Sequence, residues 1–163
     1  MKKLLLALML VLPLSASAQK FGHVNIADIV QSLPEFATAQ QEFESKGKMY
    51  QEELNRMRDE FQAKLEDYQK NAETLPDAVK ERRESELSDL QQRIQEYANK
   101  VQTELGQYQD QKLQEMQQKV MKAVEEVGIA GGYVYIFDVT SLPYASKSSA
   151  TDVTPDVKKK LGL

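Results

Sequence analysis

The 163-residue chain has no cysteine and no tryptophan, and only one histidine. Without cysteine there is no disulfide framework, no lipoprotein attachment site and no thiolate for catalysis or zinc. His23 has no second histidine with which to build a triad or a metal site, so it reads as a surface or packing residue. Glycine is nearly missing from 36–127, where only Gly47 and Gly106 occur, and that whole stretch holds one proline, Pro76. No phosphate-binding loop is present, because Gly131-Gly132 precedes a strand and opens no helix. Carboxylate pairs such as Glu52-Glu53 and Glu125-Glu126 fall on a charged helical stretch that offers no shielded pocket for acid–base work. No catalytic, cofactor or metal site is therefore expected, and the chain reads as a non-enzyme.

Long apolar runs are also lacking, except at the start. Lys2 and Lys3 precede the run 4–12, and Ala16-Ser17-Ala18 supplies small residues at a cleavage position. This pattern is a secretory signal peptide over 1–18, too short and too clearly processed to serve as an anchor. The mature product is expected to be soluble in a bacterial periplasm and not to span the membrane. The full chain carries 21 basic and 25 acidic residues, and loss of Lys2 and Lys3 takes the formal charge from −4 to −6. An acidic chain without a basic face is not a nucleic-acid binder.

What the sequence has in quantity is helical patterning. From 36 to 127 it is rich in Gln and Glu, and apolar residues recur at steps of three and four. They run Phe43, Tyr50, Leu54, Met57, Phe61, Leu65, Tyr68 before Pro76, then Leu87, Leu90, Ile94, Tyr97, Val101, Leu105, Tyr108 after it. Such spacing paints the narrow seam of a coiled coil. Two seams with one break predict an antiparallel helical hairpin with its tip near 75–79. Folding about that tip places Tyr68 opposite Leu87, Phe61 opposite Ile94, Met57 opposite Tyr97, Tyr50 opposite Leu105 and Ala39 opposite Met116. Sliding one arm by a heptad matches the stripes almost as well, and this register is preferred because its midpoint falls beside Pro76. The same register puts Gly47 opposite Tyr108. Gly47 and Gly106 then either leave room for that ring or form a compliant zone in the arm.

The flanks supply a small body. Within 21–26 (FGHVNI), Val24 and Ile26 share one side, which predicts a short strand; 27–32 reads as a helical turn ending before Pro34. Gly128 is the expected helix cap. The segment 133–139 (YVYIFDV) is the best strand, and 142–145 (LPYA) is expected to be a second, at an edge because of Pro143. The loop 147–151 precedes a helix opened by Thr154-Pro155-Asp156, with Thr154 as its cap. The fold class is thus α+β, mostly α: a coiled-coil arm over 36–127 on a body made of 19–35 and 128–163. Three short strands and one small helix bury too little to support such an arm alone, so an obligate oligomer is predicted.

The main role of Tyr50, Met57, Phe61, Tyr68, Tyr97 and Tyr108 is to seal the two helices together. A seam this narrow also leaves ring edges and flanking side chains such as Met49, Ala98 and Met121 open, which suits weak, adaptable binding of an unfolded apolar chain. Together these residues are the candidate client-binding set.

In the order of its segments the chain resembles the Skp/OmpH family of periplasmic chaperones. The resemblance rests on the signal peptide, FGHVNIADIVQSLPE, the Gln/Glu-rich arms, YVYIFDV followed by the Tyr144 segment, and DVTPDVKKKL. It implies a homotrimer whose β body carries three helical tentacles around a cavity, acting as an ATP-independent holdase for unfolded outer-membrane proteins. It also implies that Val24, Ile26, Val134, Ile136 and Tyr144 belong to the body and its subunit contacts. The chain departs from the family's basic members, since 35–127 holds 21 acids against 14 bases. Charge steering and lipopolysaccharide binding therefore do not carry over. The competing reading is an envelope scaffold whose hairpin docks on one specific folded partner.

Overall fold

The structure, a computed structural model, describes residues 19–142, 144 and 149–163. The expected signal peptide lies outside the described residues. In chain order the elements are β1 (Lys20–Val24), α1 (Ile26–Ser32), α2 (Pro34–Asn71), α3 (Asp77–Gly131), β2 (Tyr133–Asp138), a 3-10 turn (Val139–Ser141), β3 (Thr151–Asp152) and α4 (Thr154–Leu161). This is the α+β, mostly helical class that the patterning predicts. The described residues form two compact units, one of 19–26 with 122–162 and the other of 27–121 with Leu163.

In the first unit the sheet runs β2-β1-β3, and both pairings are parallel. Parallel neighbours need a long connection between them, and the whole helical excursion supplies it for β1 and β2. Phe21 pairs with Tyr135 and His23 with Phe137, after an irregularity between Lys20 and Phe21. The third strand is only two residues long. Its neighbour Val153 donates its N–H to the His23 carbonyl at 2.9 Å, and the Asn25 N–H donates to the Thr154 hydroxyl at 3.0 Å. Val24, Ala123, Val124, Val153 and Val157 are buried.

Four expectations are corrected in this unit. Ile26 opens α1 instead of closing the strand. Leu142 and Tyr144 belong to no strand, while Pro143 and Ala145 lie outside the described residues; Thr151, expected in a loop, starts β3. Thr154 does not cap its own helix: its hydroxyl serves Asn25, and the Asp152 carboxylate accepts the Thr154 N–H at 2.9 Å. Gly128 is no cap either. Helix α3 continues to Gly131, and Gly132 turns the chain with φ of 65°. Gly128 serves close approach: a Cβ there would lie 3.3 Å from Ile136 Cδ1.

In the second unit Leu33 is extended (φ −67°, ψ 134°), as a residue before proline must be, and Pro34 enters the first turn of α2 where its missing N–H costs nothing. Helices α2 and α3 are joined through 72–76. The N–H groups of Val79 and Lys80 both donate to the Pro76 carbonyl, so Pro76 closes the loop and does not sit at its centre. The register is met in part: Tyr50 bonds Glu104 beside the expected Leu105, and Ala39 and Met116 line one groove, but other contacts are offset. Tyr68 bonds Glu84, one turn before Leu87, and the Tyr50 ring packs on Tyr97, which the expected register set against Met57. Leu54, Leu90, Met116 and Val120 are buried in this unit, as are Ile29, Val30 and Leu33. Gly47 makes no room for Tyr108, since a Cβ at either Gly47 or Gly106 would meet nothing within 4 Å.

Candidate binding surface on the helical hairpin

The seam of the hairpin is a row of tyrosines whose rings lie between the helices and whose hydroxyls reach carboxylates on the opposite one. Tyr50 donates to Glu104 Oε2 at 2.8 Å, Tyr68 donates to Glu84 and Tyr108 donates to Glu42. Tyr50 and Tyr97 meet edge to face, with centroids 6.4 Å apart and planes at 75°. The carboxylate beside each phenol opposes a second negative charge. The hydrogen bond to Glu42 pushes the Tyr108 hydroxyl up to about 12, and those to Glu104 and Glu84 push Tyr50 and Tyr68 upward. For Tyr97 the upward push comes first from desolvation. Ion pairs frame the seam: Arg83 Nη1 lies 3.1 Å from Asp67 Oδ2, and Lys119 pairs with Glu35.

Of the nine residues expected on the binding set, seven are half-buried: Tyr50, Met57, Phe61, Tyr68, Tyr97, Ala98 and Tyr108. They sit at the seam with part of each side chain open. Met49 and Met121 are exposed by more than half, 55% and 53%. Tyr50 meets Tyr97, and Tyr50, Tyr68 and Tyr108 each bond a carboxylate; among the described residues no methionine takes part in these ring contacts and hydrogen bonds.

Sequence reasoning missed an opening in the seam. Beside Ala39 the helices leave a groove of ≈520 Å³, bounded by Phe36, Phe43, Tyr108, Leu113 and Met116. A second cavity of ≈400 Å³ shares Ala39, Lys112 and Met116 and is lined by Glu35, Glu42 and Glu115. Phe36 and Phe43 are half-buried and Leu113 is 40% exposed, so the groove presents apolar surface to water. The signal available was a small residue, Ala39, at a seam position where its neighbours are aromatic.

The body presents a second apolar surface. Phe21 stacks on Tyr135 (6.3 Å, 6°), and Tyr135 on Phe137 (5.8 Å, 30°). Tyr135 and Phe137 remain 59% and 45% exposed, and on the opposite face Val134 is 47% exposed. Tyr144 is also exposed, whereas Ile26 and Ile136 are half-buried and Val24 is fully covered within one chain. His23 lies beside this surface with Nδ1 3.8 Å from Asp152 Oδ1.

The family model for outer membrane protein (OmpH-like) matches residues 20–161, and the chain belongs to that family. It is 28% identical over 165 residues to the chaperone protein Skp of Yersinia enterocolitica, with 99% of each chain covered. It is 27% identical over 166 residues to the chaperone protein Skp of Pectobacterium atrosepticum, again with 99% of each covered. Its fold is also that of a crystal structure of an OmpH-like protein from Caulobacter crescentus CB15. The TM-score there is 0.76 at 15% identity, over 88% of this chain and 83% of the other. Among the described residues no helix is long and apolar enough to cross a membrane.

Proposed function

We propose that the chain is an ATP-independent periplasmic holdase that binds unfolded outer-membrane proteins between helical arms and keeps them from aggregating. Membership of the OmpH-like family and full-length similarity to proteins named chaperone protein Skp support a chaperone role in the envelope. The observation that carries the reading is the half-open seam. Aromatic and methionine side chains lie along the hairpin with part of their surface in water, and Met49, Leu113 and Met121 project from its flanks. Apolar side chains spread along a charged helix hold an unfolded chain through many weak contacts, none demanding one sequence.

The working unit is a homotrimer. A monomer would leave the Phe21–Tyr135–Phe137 stack and Val134 in water, and β2 and β3 would each keep an unpaired edge. Three copies that share these surfaces gain the core one body lacks. The subunit contacts are then made by Val134, Ile136 and Tyr144, with Tyr135 and Phe137. The signal peptide over 1–18 delivers the chain to the periplasm.

The test is dilution of a urea-unfolded outer-membrane barrel into buffer with rising amounts of mature protein, starting at Gln19, with aggregation followed by light scattering. Suppression that saturates near one client per three chains, without ATP, is expected. A helical, oligomeric preparation that leaves scattering unchanged contradicts the reading and favours a scaffold with one folded partner.

A further inference from the structure

The groove beside Ala39 differs from the rest of the seam. Tyr108 on its wall bonds Glu42 as the other seam tyrosines bond their carboxylates, but the floor is apolar and, among the described residues, one rim carboxylate is free. Phe36, Phe43, Leu113 and Met116 form the floor and walls. The charged groups around it are few. Lys112 is held by Glu115 at 3.3 Å and lies 5.9 Å from the Tyr108 ring centre, while Lys46 stands 5.3 Å from the same ring centre. Glu42 accepts the Tyr108 hydroxyl, and Glu35 pairs with Lys119. Glu44, on the rim, makes no hydrogen bond or ion pair among the described residues.

We propose that this groove is a socket for an apolar side chain of an unfolded polypeptide whose adjacent residue is basic, with Glu44 selecting the basic neighbour. The proposal rests on the holdase reading and deepens it by naming which segments of a client are held at the base of the arm. The volume of ≈520 Å³ lies within the ~300–1,000 Å³ of pockets that enclose a small ligand, enough for an aromatic side chain and part of its backbone. Charge complementarity points to the neighbour. Lys112 is paired with Glu115 and Lys46 stands over the Tyr108 ring, the rim offers an open carboxylate, and 35–127 carries 21 acids against 14 bases. An acidic neighbour would meet that excess unpaired, which costs affinity; a basic one would meet Glu44.

The test uses the mature protein and three fluorescent peptides of equal length, alternating Phe/Arg, Phe/Glu and Ser/Arg, read by anisotropy. The Phe/Arg peptide is expected to bind about tenfold more tightly than either control. Leu113→Gln, at a site that already faces water, should weaken both Phe peptides about three- to tenfold. Glu44→Gln should shrink the preference for Arg over Glu by about two- to fivefold, the size of an exposed ion pair. Circular dichroism verifies that both variants stay helical, and benzoylphenylalanine in place of Leu113 should cross-link the Phe/Arg peptide. Equal binding of the three peptides, or variants that bind as the unmodified chain does, would overturn the socket. Light scattering with an unfolded barrel, run on the same samples, separates the two ideas. Suppression that persists while peptide selection fails sinks the socket alone; loss of suppression in the unmodified chain sinks the holdase reading.

Discussion

The phenol of Tyr108, on the second helix of the hairpin, donates its hydrogen bond to the carboxylate of Glu42 on the first. The two residues are 66 positions apart in the chain, yet the bond fixes which turn of α3 faces which turn of α2. Tyr68–Glu84 and Tyr50–Glu104 repeat the arrangement along the seam. A narrow apolar stripe alone lets two helices slide by a heptad; pairs of this kind discriminate between the alternatives.

The tyrosine pairs make the hairpin sensitive to alkali. The Tyr108 hydroxyl stays protonated in the folded arm up to about 12, against an ordinary value of 10.0. A folded value raised above the unfolded one means that the stability is fully present below pH 10 and is lost as pH rises through the folded value. Helicity followed by circular dichroism should therefore fall between about pH 10 and 12. Tyr108→Phe should flatten that fall and slightly lower the melting temperature at pH 7. An unchanged alkaline transition in the variant would show that the pair does not couple to folding.

Acid acts on a different set. Hydrogen bonds from Lys119 and Lys160 hold Glu35 and Glu126 below their ordinary value of 4.5. Lowered folded values give stability that is present above pH 4.5 and lost as pH falls through the folded values. Thermal melts should thus move down progressively below about pH 4.5. Glu126→Gln, which removes the 2.8 Å contact with Lys160, should lower the melt at pH 7 and reduce its further drop at pH 3.

The glycines separate by surroundings. At Gly47 and Gly106 a Cβ meets nothing within 4 Å, and both lie inside helices, so each alanine should stabilise by about 1 kcal/mol. The double variant should also narrow the spread of spin-label distances between arm tips. Gly131→Ala should do the reverse, because its Cβ would overlap the Tyr133 ring that Lys20 covers at 4.1 Å. A loss of about 1–3 kcal/mol is expected there, read from urea melts. Equal effects at Gly47 and Gly131 would contradict the packing described.

The exposed sheet face should control assembly. Phe137→Asp places a charge on the Phe21–Tyr135–Phe137 stack without touching the hairpin seam. In sedimentation velocity it should move the protein from the proposed trimer to smaller species at micromolar concentration, while a seam variant such as Tyr108→Phe should leave the assembly unchanged. A trimer that survives Phe137→Asp would remove this face from the subunit contacts.

Much of this architecture is written in local pattern. The stripe from Phe43 to Tyr108, interrupted at Pro76, specifies two helices and a turn, and the aromatic, β-branched run YVYIFD specifies β2. Features that depend on distant partners are not legible in the same way. Thr151 and Asp152 carry no strand signal of their own, and they become β3 because Gly22 and His23 offer an edge to pair with. Gly128 has the composition of a cap, yet it lies inside α3, where a Cβ would stand 3.3 Å from Ile136 Cδ1. The offset of Tyr68 toward Glu84 follows from a turn that does not centre on Pro76, whose carbonyl already accepts the first bonds of α3. Leu113 sits off the main stripe, and only the pairing of helices around Ala39 reveals the groove it borders.

Native mass spectrometry of the mature protein, after a urea-unfolded outer-membrane barrel has been diluted into it, addresses the central claim most directly. The account predicts a dominant species with the mass of three chains and one client, formed without nucleotide. A client bound to a single chain, or no complex from a protein that is folded and trimeric on its own, would contradict it.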